Sequence, residues 1–208
     1  PKLQEITERA ADLLRLRYTD LNLKNLTPDQ SDRLLSKLLA VYNMPENLRN
    51  HIVQRAAGIP LYIEEILRML IDRNLLQRQD GHWSFPGKFD LNALGVPDTL
   101  QGLILTRFDH LDASQQAVLK VASAIGRAFT RALLFECLPV LSSDQIDASL
   151  VVLLEREFIL PDPSPGGEYM YKHVLVSDTI YSTLLTRERQ ELHGRVAESI
   201  EKLYADRL

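Results

Sequence analysis

The chain has 208 residues, 45% of them hydrophobic and 25% charged, with a formal net charge of −4. This composition excludes bulk disorder, and the acidic balance excludes a strongly basic nucleic-acid footprint over the whole chain. A single cysteine, Cys137, excludes an intrachain disulfide and points to a reducing, cytoplasmic compartment, while no apolar run approaches the roughly 20 residues of a membrane-spanning helix.

Helical periodicity dominates the first half. Leu3, Ile6, Ala10, Leu13 and Leu14 make one helical face. From Tyr18 to Lys24 the rhythm changes, because Leu21 and Leu23 alternate with Asp20, Asn22 and Lys24, which predicts a short strand. Thr27-Pro28-Asp29-Gln30 predicts a helix start: Thr27 can cap, Pro28 suits the first turn and Gln30 has capping-box spacing. Leu34, Leu35, Leu38 and Leu39 line that helix, and Met44-Pro45 ends it. A further helix with Leu48, Ile52, Val53 and Ala56 should stop at Gly58, and Pro60 can start another with Ile63, Ile66, Leu67, Leu70 and Ile71 on its face. Leu75 to Phe85 reads as a hairpin about Asp80-Gly81, a type I′ turn pair. Residues 86–95 are rich in turn formers and read as a linker.

The second half opens at Val96-Pro97 with a helix carrying Leu100, Leu103, Ile104, Phe108 and Leu111. Asp112 and Gln115, then Ser142 and Gln145, have capping-box spacing ahead of two more helices. The first carries Val118, Val121, Ala122 and Ile125; the second carries Ile146, Leu150, Val151, Leu154 and Phe158. Between them Thr130 caps a short helix through Leu138. Phe158–Leu160 and Tyr169–Lys172 read as strands around a Pro- and Gly-rich loop. Three helices followed by a hairpin is the order of a winged helix. Two helices finish the chain, the last with Leu192, Val196, Ile200 and Leu203 on one face. The expected class is therefore mainly α: a helical part with a small hairpin (25–85), a winged-helix domain (96–173) and a C-terminal helical pair (174–208).

Most catalytic signatures are absent. A phosphate-cradling loop would need a Gly where His82 stands and a hydroxyl where Phe89 follows Gly87-Lys88. There is no Cys pair or H-E-x-x-H helix for zinc and no nucleophile elbow. No metal site and no catalytic residue is expected. Glu64 and Glu65 are neighbours on a helix and point about 100° apart, which reads as a solvated helix edge rather than an acid–base pair. His193 reads as a helix-packing residue.

A winged helix also raises DNA binding, in a transcriptional regulator, as the alternative function. Residues 143–158 carry Asp144, Asp147, Glu155 and Glu157 against Arg156, four negative charges against one positive, a balance of −3. DNA affinity rests on neutralising phosphates with Lys and Arg, so this helix argues against direct DNA contact.

Several strings in order resemble one family. Arg55-Ala56-Ala57-Gly58-Ile59-Pro60-Leu61-Tyr62-Ile63-Glu64-Glu65-Ile66-Leu67 is similar to the lid signature of the signal-transduction ATPases with numerous domains, the STAND class. Val96-Pro97-Asp98-Thr99-Leu100-Gln101, Arg107-Phe108-Asp109-His110-Leu111 and the run from Val118 to Phe129 resemble its winged-helix portion. Tyr171-Lys172-His173, Tyr181, Leu184-Leu185, Arg189, Leu192-His193 and Val196-Ala197 resemble the entry to a tetratricopeptide array. The likeness covers residues 18–208 and is strongest in bacterial proteins that join this module to nucleotide cyclases, protein kinases or transcription-factor domains.

The resemblance implies a nucleotide-binding core upstream, with residues 1–24 as its end and Tyr18–Lys24 as its last strand, and makes residues 25–85 a helical lid subdomain; the first residue, Pro1, fits a piece of a longer protein. It implies ATP or ADP with Mg as cofactors of the whole protein, none bound by this piece alone. The partners it implies are the chain's own core, a downstream repeat sensor and an attached effector domain, with no membrane partner. In that family the Gly-x-Pro turn packs against the nucleoside, which carries over to Gly58 and Pro60, with Ile59 where Asn is common. Helix punctuation is the other reading of the same two residues. In relatives a His after the wing contacts the ADP β-phosphate, which carries over to His173, although Val174 stands where Asp usually follows; a histidine that merely closes the strand is the other reading.

Overall fold

A computed structural model of the chain describes residues 21–38, 44–79, 82–85, 95–164 and 166–205. Among them are nine helices and five short strands, so the fold is mainly α. The expected helix over Leu3–Leu14, the Asp80-Gly81 turn and most of the 86–95 linker lie outside the described residues.

Three helices open the fold: α1 (Pro28–Leu38), α2 (Glu46–Ala56) and α3 (Pro60–Asp72). Thr27 and Gln30 make the expected reciprocal cap, Gln30 N donating to Thr27 Oγ1 at 3.2 Å and Thr27 N to Gln30 Oε1 at 2.9 Å. Pro60 occupies the first turn of α3, where a missing N–H costs nothing. A hairpin of β1 (Gln77–Gln79) and β2 (His82–Ser84) follows in the expected register, Gln79 opposite His82. Leu35, Leu48, Ile52, Ile63, Ile66 and Leu70 form the core of this half.

The second half runs α4 (Leu100–Asp109), α5 (Ala113–Ile125), β3 (Ala128–Phe129), α6 (Arg131–Cys137), α7 (Ser143–Glu155), β4 (Ile159–Pro161), β5 (Tyr169–Tyr171), α8 (Val174–Thr183) and α9 (Thr186–Leu203). Both expected capping boxes form, at Asp112–Gln115 and Ser142–Gln145. The three helices and the hairpin stand in the expected order. The hairpin gains a third strand: β3 pairs antiparallel with β5, giving the sheet order β3-β5-β4. Phe129 stacks at 6.0 Å on Tyr169 and meets Tyr171 edge-on at 5.9 Å, so aromatic packing holds a strand too short to show in the sequence.

The helical pair packs on this same core. Val176, Ile180, Leu192 and Val196 join Val118, Ala122, Leu134, Ile146 and Phe158 in one cluster. Tyr171 drives its hydroxyl through it to donate to Leu119 O at 2.5 Å, and complete burial pushes that phenol well above its ordinary pKa. Helix α4 serves both halves, with Leu103 in the first core and Ile104 in the second.

Three sequence expectations need correction. Residues 21–24 form no strand: Leu21 and Leu23 are exposed, and no partner strand lies beside them among the described residues to complete a ladder. On α7 the buried stripe is Ile146, Ser149, Leu150 and Leu153, while Val151 is 54% exposed and Phe158 lies past the helix end. On α9 Ser199 is buried where Ile200 was expected, because the helix rolls so that Ser199 meets Cys137, Oγ to Sγ 3.4 Å. No described helix is long and apolar enough to cross a membrane.

Candidate functional site at the α3 and β5 junction

The turn that leads into α3 is built by positive φ at two residues, Ala57 (+46°) and Gly58 (+77°). Leu26 N donates to Gly58 O at 2.8 Å and Asn25 Nδ2 to Ala57 O at 3.2 Å, stitching the segment before α1 across the turn. A Cβ on Gly58 would collide with the backbone of Leu26, so close chain approach and positive φ both demand glycine there. Gly58 is buried; Ile59 and Pro60 are exposed and form an apolar edge at the head of α3.

One turn along α3 from Pro60, Glu64 reaches the residues that leave β5. Lys172 Nζ donates to Glu64 Oε2 at 3.0 Å and to Glu157 Oε2 at 2.7 Å. His173 Nε2 lies 3.6 Å from Glu64 Oε2, an ion-pair distance once the ring is protonated but no hydrogen bond. Glu157, at φ +55° in the turn between α7 and β4, also pairs with Arg68 of α3. The His173 Nε2 atom is buried and has no hydrogen-bond partner. The structure thus joins Pro60 and His173 through a single helix, with Glu64 between them. A cavity of about 50 Å³ opens here, lined by Leu38, Glu64, Leu67, Arg68, Ile71 and Lys172.

Charge pairing decides how these groups titrate. Burial pushes the Glu157 carboxyl up, but the hydrogen bond from Lys172 and the charge of Arg68 outweigh it and hold it below its ordinary value. Burial pulls the Lys172 ammonium down, but its hydrogen bonds to Glu157 and Glu64 outweigh that and raise it.

Glu65 overturns the solvated-edge reading of Glu64-Glu65. It is 2% exposed and accepts from Arg107 Nη1 at 2.5 Å. Arg107, 1% exposed, also donates from Nε to Asp72 Oδ2 at 2.8 Å and from Nη2 to Arg156 O at 2.5 Å, and lies 4.4 Å over the Phe158 ring. The 100° step along α3 that makes the two glutamates a poor acid–base pair sends Glu65 inward, where a guanidinium fork satisfies it. Burial lowers the Arg107 pKa, but the Glu65 and Asp72 carboxylates more than reverse this, so it stays charged. Arg107 follows Leu103 and Ile104 at helical spacing, a cation on an apolar stripe; that was the signal for it in the sequence.

His193 packs as expected, its Nε2 2.9 Å from Tyr181 Oη and the rings 5.8 Å apart, joining α9 to α8. Cys137 is buried, which pushes its thiol up. On α7, Arg131 of α6 pairs with Asp147, so that part of the acidic balance is neutralised within the fold. Among the described residues no cluster of His, Cys, Asp and Glu could hold a metal ion.

The site thus presents an exposed apolar edge at Ile59-Pro60 and, on the far side of Glu64, two nitrogens, Lys172 Nζ and the unpartnered His173 Nε2. Gly58 is accounted for by its positive φ and the close approach of Asn25 and Leu26.

A family model described as "domain of unknown function (DUF8739)" matches residues 27–84, the part that holds α1 to β2. Adenylate cyclase type 10 of Mus musculus is 25% identical over 173 residues, covering 66% of this chain and 11% of that protein. Its counterpart in Rattus norvegicus is 24% identical over the same length. An uncharacterized protein of Rhizobium meliloti (strain 1021) is 25% identical over 151 residues, covering 71% of this chain and 14% of its own length. The chain therefore spans 10% to 14% of the length of these relatives, and adenylate cyclases by name are among them.

Proposed function

We propose that this chain is the lid and winged-helix part of a nucleotide-switched signalling protein of the STAND class, gating an attached effector by ADP-to-ATP exchange. The observation that carries the proposal is the meeting of the Pro60 helix and His173 at Glu64, which brings two segments about 110 residues apart in sequence to one end of α3. Similarity to adenylate cyclases over about a tenth of their length supports a regulatory segment within a long multidomain protein.

In this reading the nucleotide itself supplies the negative phosphates that draw the segments together. Ile59 and Pro60 pack against the nucleoside, and His173 and Lys172 donate toward phosphate oxygens. Ligand moves such an equilibrium only through its different affinity for the two states, so residues touching it in one state alone set the switch. Hydrolysis belongs to a core outside these residues.

The full-length protein tests this. Pro60→Ala and His173→Ala are expected to speed ADP release, His173→Ala by about tenfold, the loss of one charge-assisted hydrogen bond. Release of a fluorescent ADP analogue followed by stopped flow gives the rate, and unchanged rates in both variants would refute the assignment. DNA binding is the second reading, favoured by the helix–hairpin order alone. Gel shift with the isolated chain at low salt tests it, and retarded DNA would replace the switch reading.

A further inference from the structure

We propose that Glu64 is a built-in competitor for an anionic ligand: its carboxylate occupies the place at Lys172 and His173 that a diphosphate takes, and leaves when the diphosphate binds. The identity of the natural ligand rests on the nucleotide-switch reading; the competition rests on the geometry.

Five ionisable side chains converge here: Glu64, Arg68, Glu157, Lys172 and His173. With His173 neutral, two positive charges meet two negative ones and the cluster sums to zero. The two carboxylates are held unequally. Glu157 is fastened from two sides, by Arg68 and by Lys172 at 2.7 Å. Glu64 shares Lys172 at a longer 3.0 Å and stands 3.6 Å from His173 Nε2, out of hydrogen-bond range. That imidazole nitrogen is buried and unpartnered, an arrangement that costs free energy until an acceptor arrives. A diphosphate has oxygens enough to accept from Lys172 and His173 together, where one carboxylate satisfies only the lysine.

The site is open to a ligand. The five side chains are 20% to 33% exposed, so a ligand reaches them without unfolding. A cavity of about 50 Å³ opens beside Lys172, with Glu64 in its wall. Departure of Glu64 removes one lid-to-wing contact and leaves the Arg107 pairs with Glu65 and Asp72 in place, so α3 stays attached to α4.

The test is calorimetric titration of inorganic pyrophosphate, and separately of ADP, into the 208-residue chain. The variants are Glu64→Gln, and Glu64→Gln combined with His173→Ala or with Lys172→Ala. Circular dichroism melts confirm that each variant is folded. Glu64→Gln keeps the side-chain shape and turns the cluster from neutral to positive, so pyrophosphate is expected to bind about tenfold more tightly than to wild type. Each second substitution is expected to abolish that gain. Tighter binding of ADP than of pyrophosphate assigns the site to a nucleotide; equal binding assigns it to the diphosphate alone. An affinity unchanged by Glu64→Gln, or a gain that survives both second substitutions, overturns the competition. Faster ADP release in His173→Ala of the full-length protein with no effect of Glu64→Gln would sink this inference and keep the switch reading. A pyrophosphate gain in Glu64→Gln that His173→Ala and Lys172→Ala each abolish, with ADP release from the full-length protein unchanged by Pro60→Ala and His173→Ala, would keep the competitor and sink the switch.

Discussion

Arg107 places a full positive charge in the interior, where two carboxylates, a backbone carbonyl and the Phe158 ring answer it. Truncating it strands Glu65 and Asp72 without a counter-ion, and uncompensated buried charge is far costlier than the pair itself is stabilising. Arg107→Met is therefore expected to lose about 3–5 kcal/mol of stability, read from urea denaturation. Replacing Arg107, Glu65 and Asp72 together by apolar residues is expected to lose much less, because no charge is left buried; an equal loss would show that shape rather than charge matters there. The sequence offered Glu65 as one of two adjacent acids, and spacing alone assigned both to the surface. Its inward turn depends on Arg107, 42 residues away, which no local pattern reports.

Helix starts were the most legible elements. The boxes at Thr27–Gln30, Asp112–Gln115 and Ser142–Gln145 all form, because each is a contact among four consecutive residues. Ser142→Ala is expected to cost about 1 kcal/mol through loss of the bond to Gln145 N, measured as a shift in denaturant midpoint without a change in slope. Strands were less legible. Ala128–Phe129 exists only because Tyr169 and Met170 lie opposite, and Leu21–Lys24 alternates correctly yet forms no ladder. Alternation states which face a strand would bury, not whether a neighbour is present. On α7 apolar Val151, Leu153 and Leu154 all fit a helical stripe in the sequence, and packing against α5 selects Leu153.

At the scale of the molecule, two cores meet through α4 and through ion pairs that cross from α3 to α4, to the turn before β4 and to the end of β5. Glu157 titrates lower in the folded protein than its ordinary value near 4.3, so its stabilisation is complete above that value and is lost as pH falls through the folded pKa. Lys172 titrates higher than its ordinary value near 10.4, so its stabilisation is complete below that value and is lost as pH rises through the folded pKa. Thermal melts across pH are expected to show a plateau between about 5 and 10 with a fall at each end. Glu157→Gln is expected to shallow the acid limb; an acid limb unchanged by that substitution would mean the pair adds nothing to stability.

The sequence by itself determined the mainly helical class, the caps, the β1–β2 register and the positions of Gly58, Pro60 and His173 as features to explain. These depend on periodicity, backbone sterics and contacts a few residues apart. Only the tertiary structure decided that Glu64 faces His173 and Lys172, that Glu65 is buried on Arg107, that Leu26 lies against Gly58, and that the C-terminal helices share a core with the wing. The first three join residues more than 30 positions apart, and the last spans several elements, so chain closure, not local preference, sets which side chains meet.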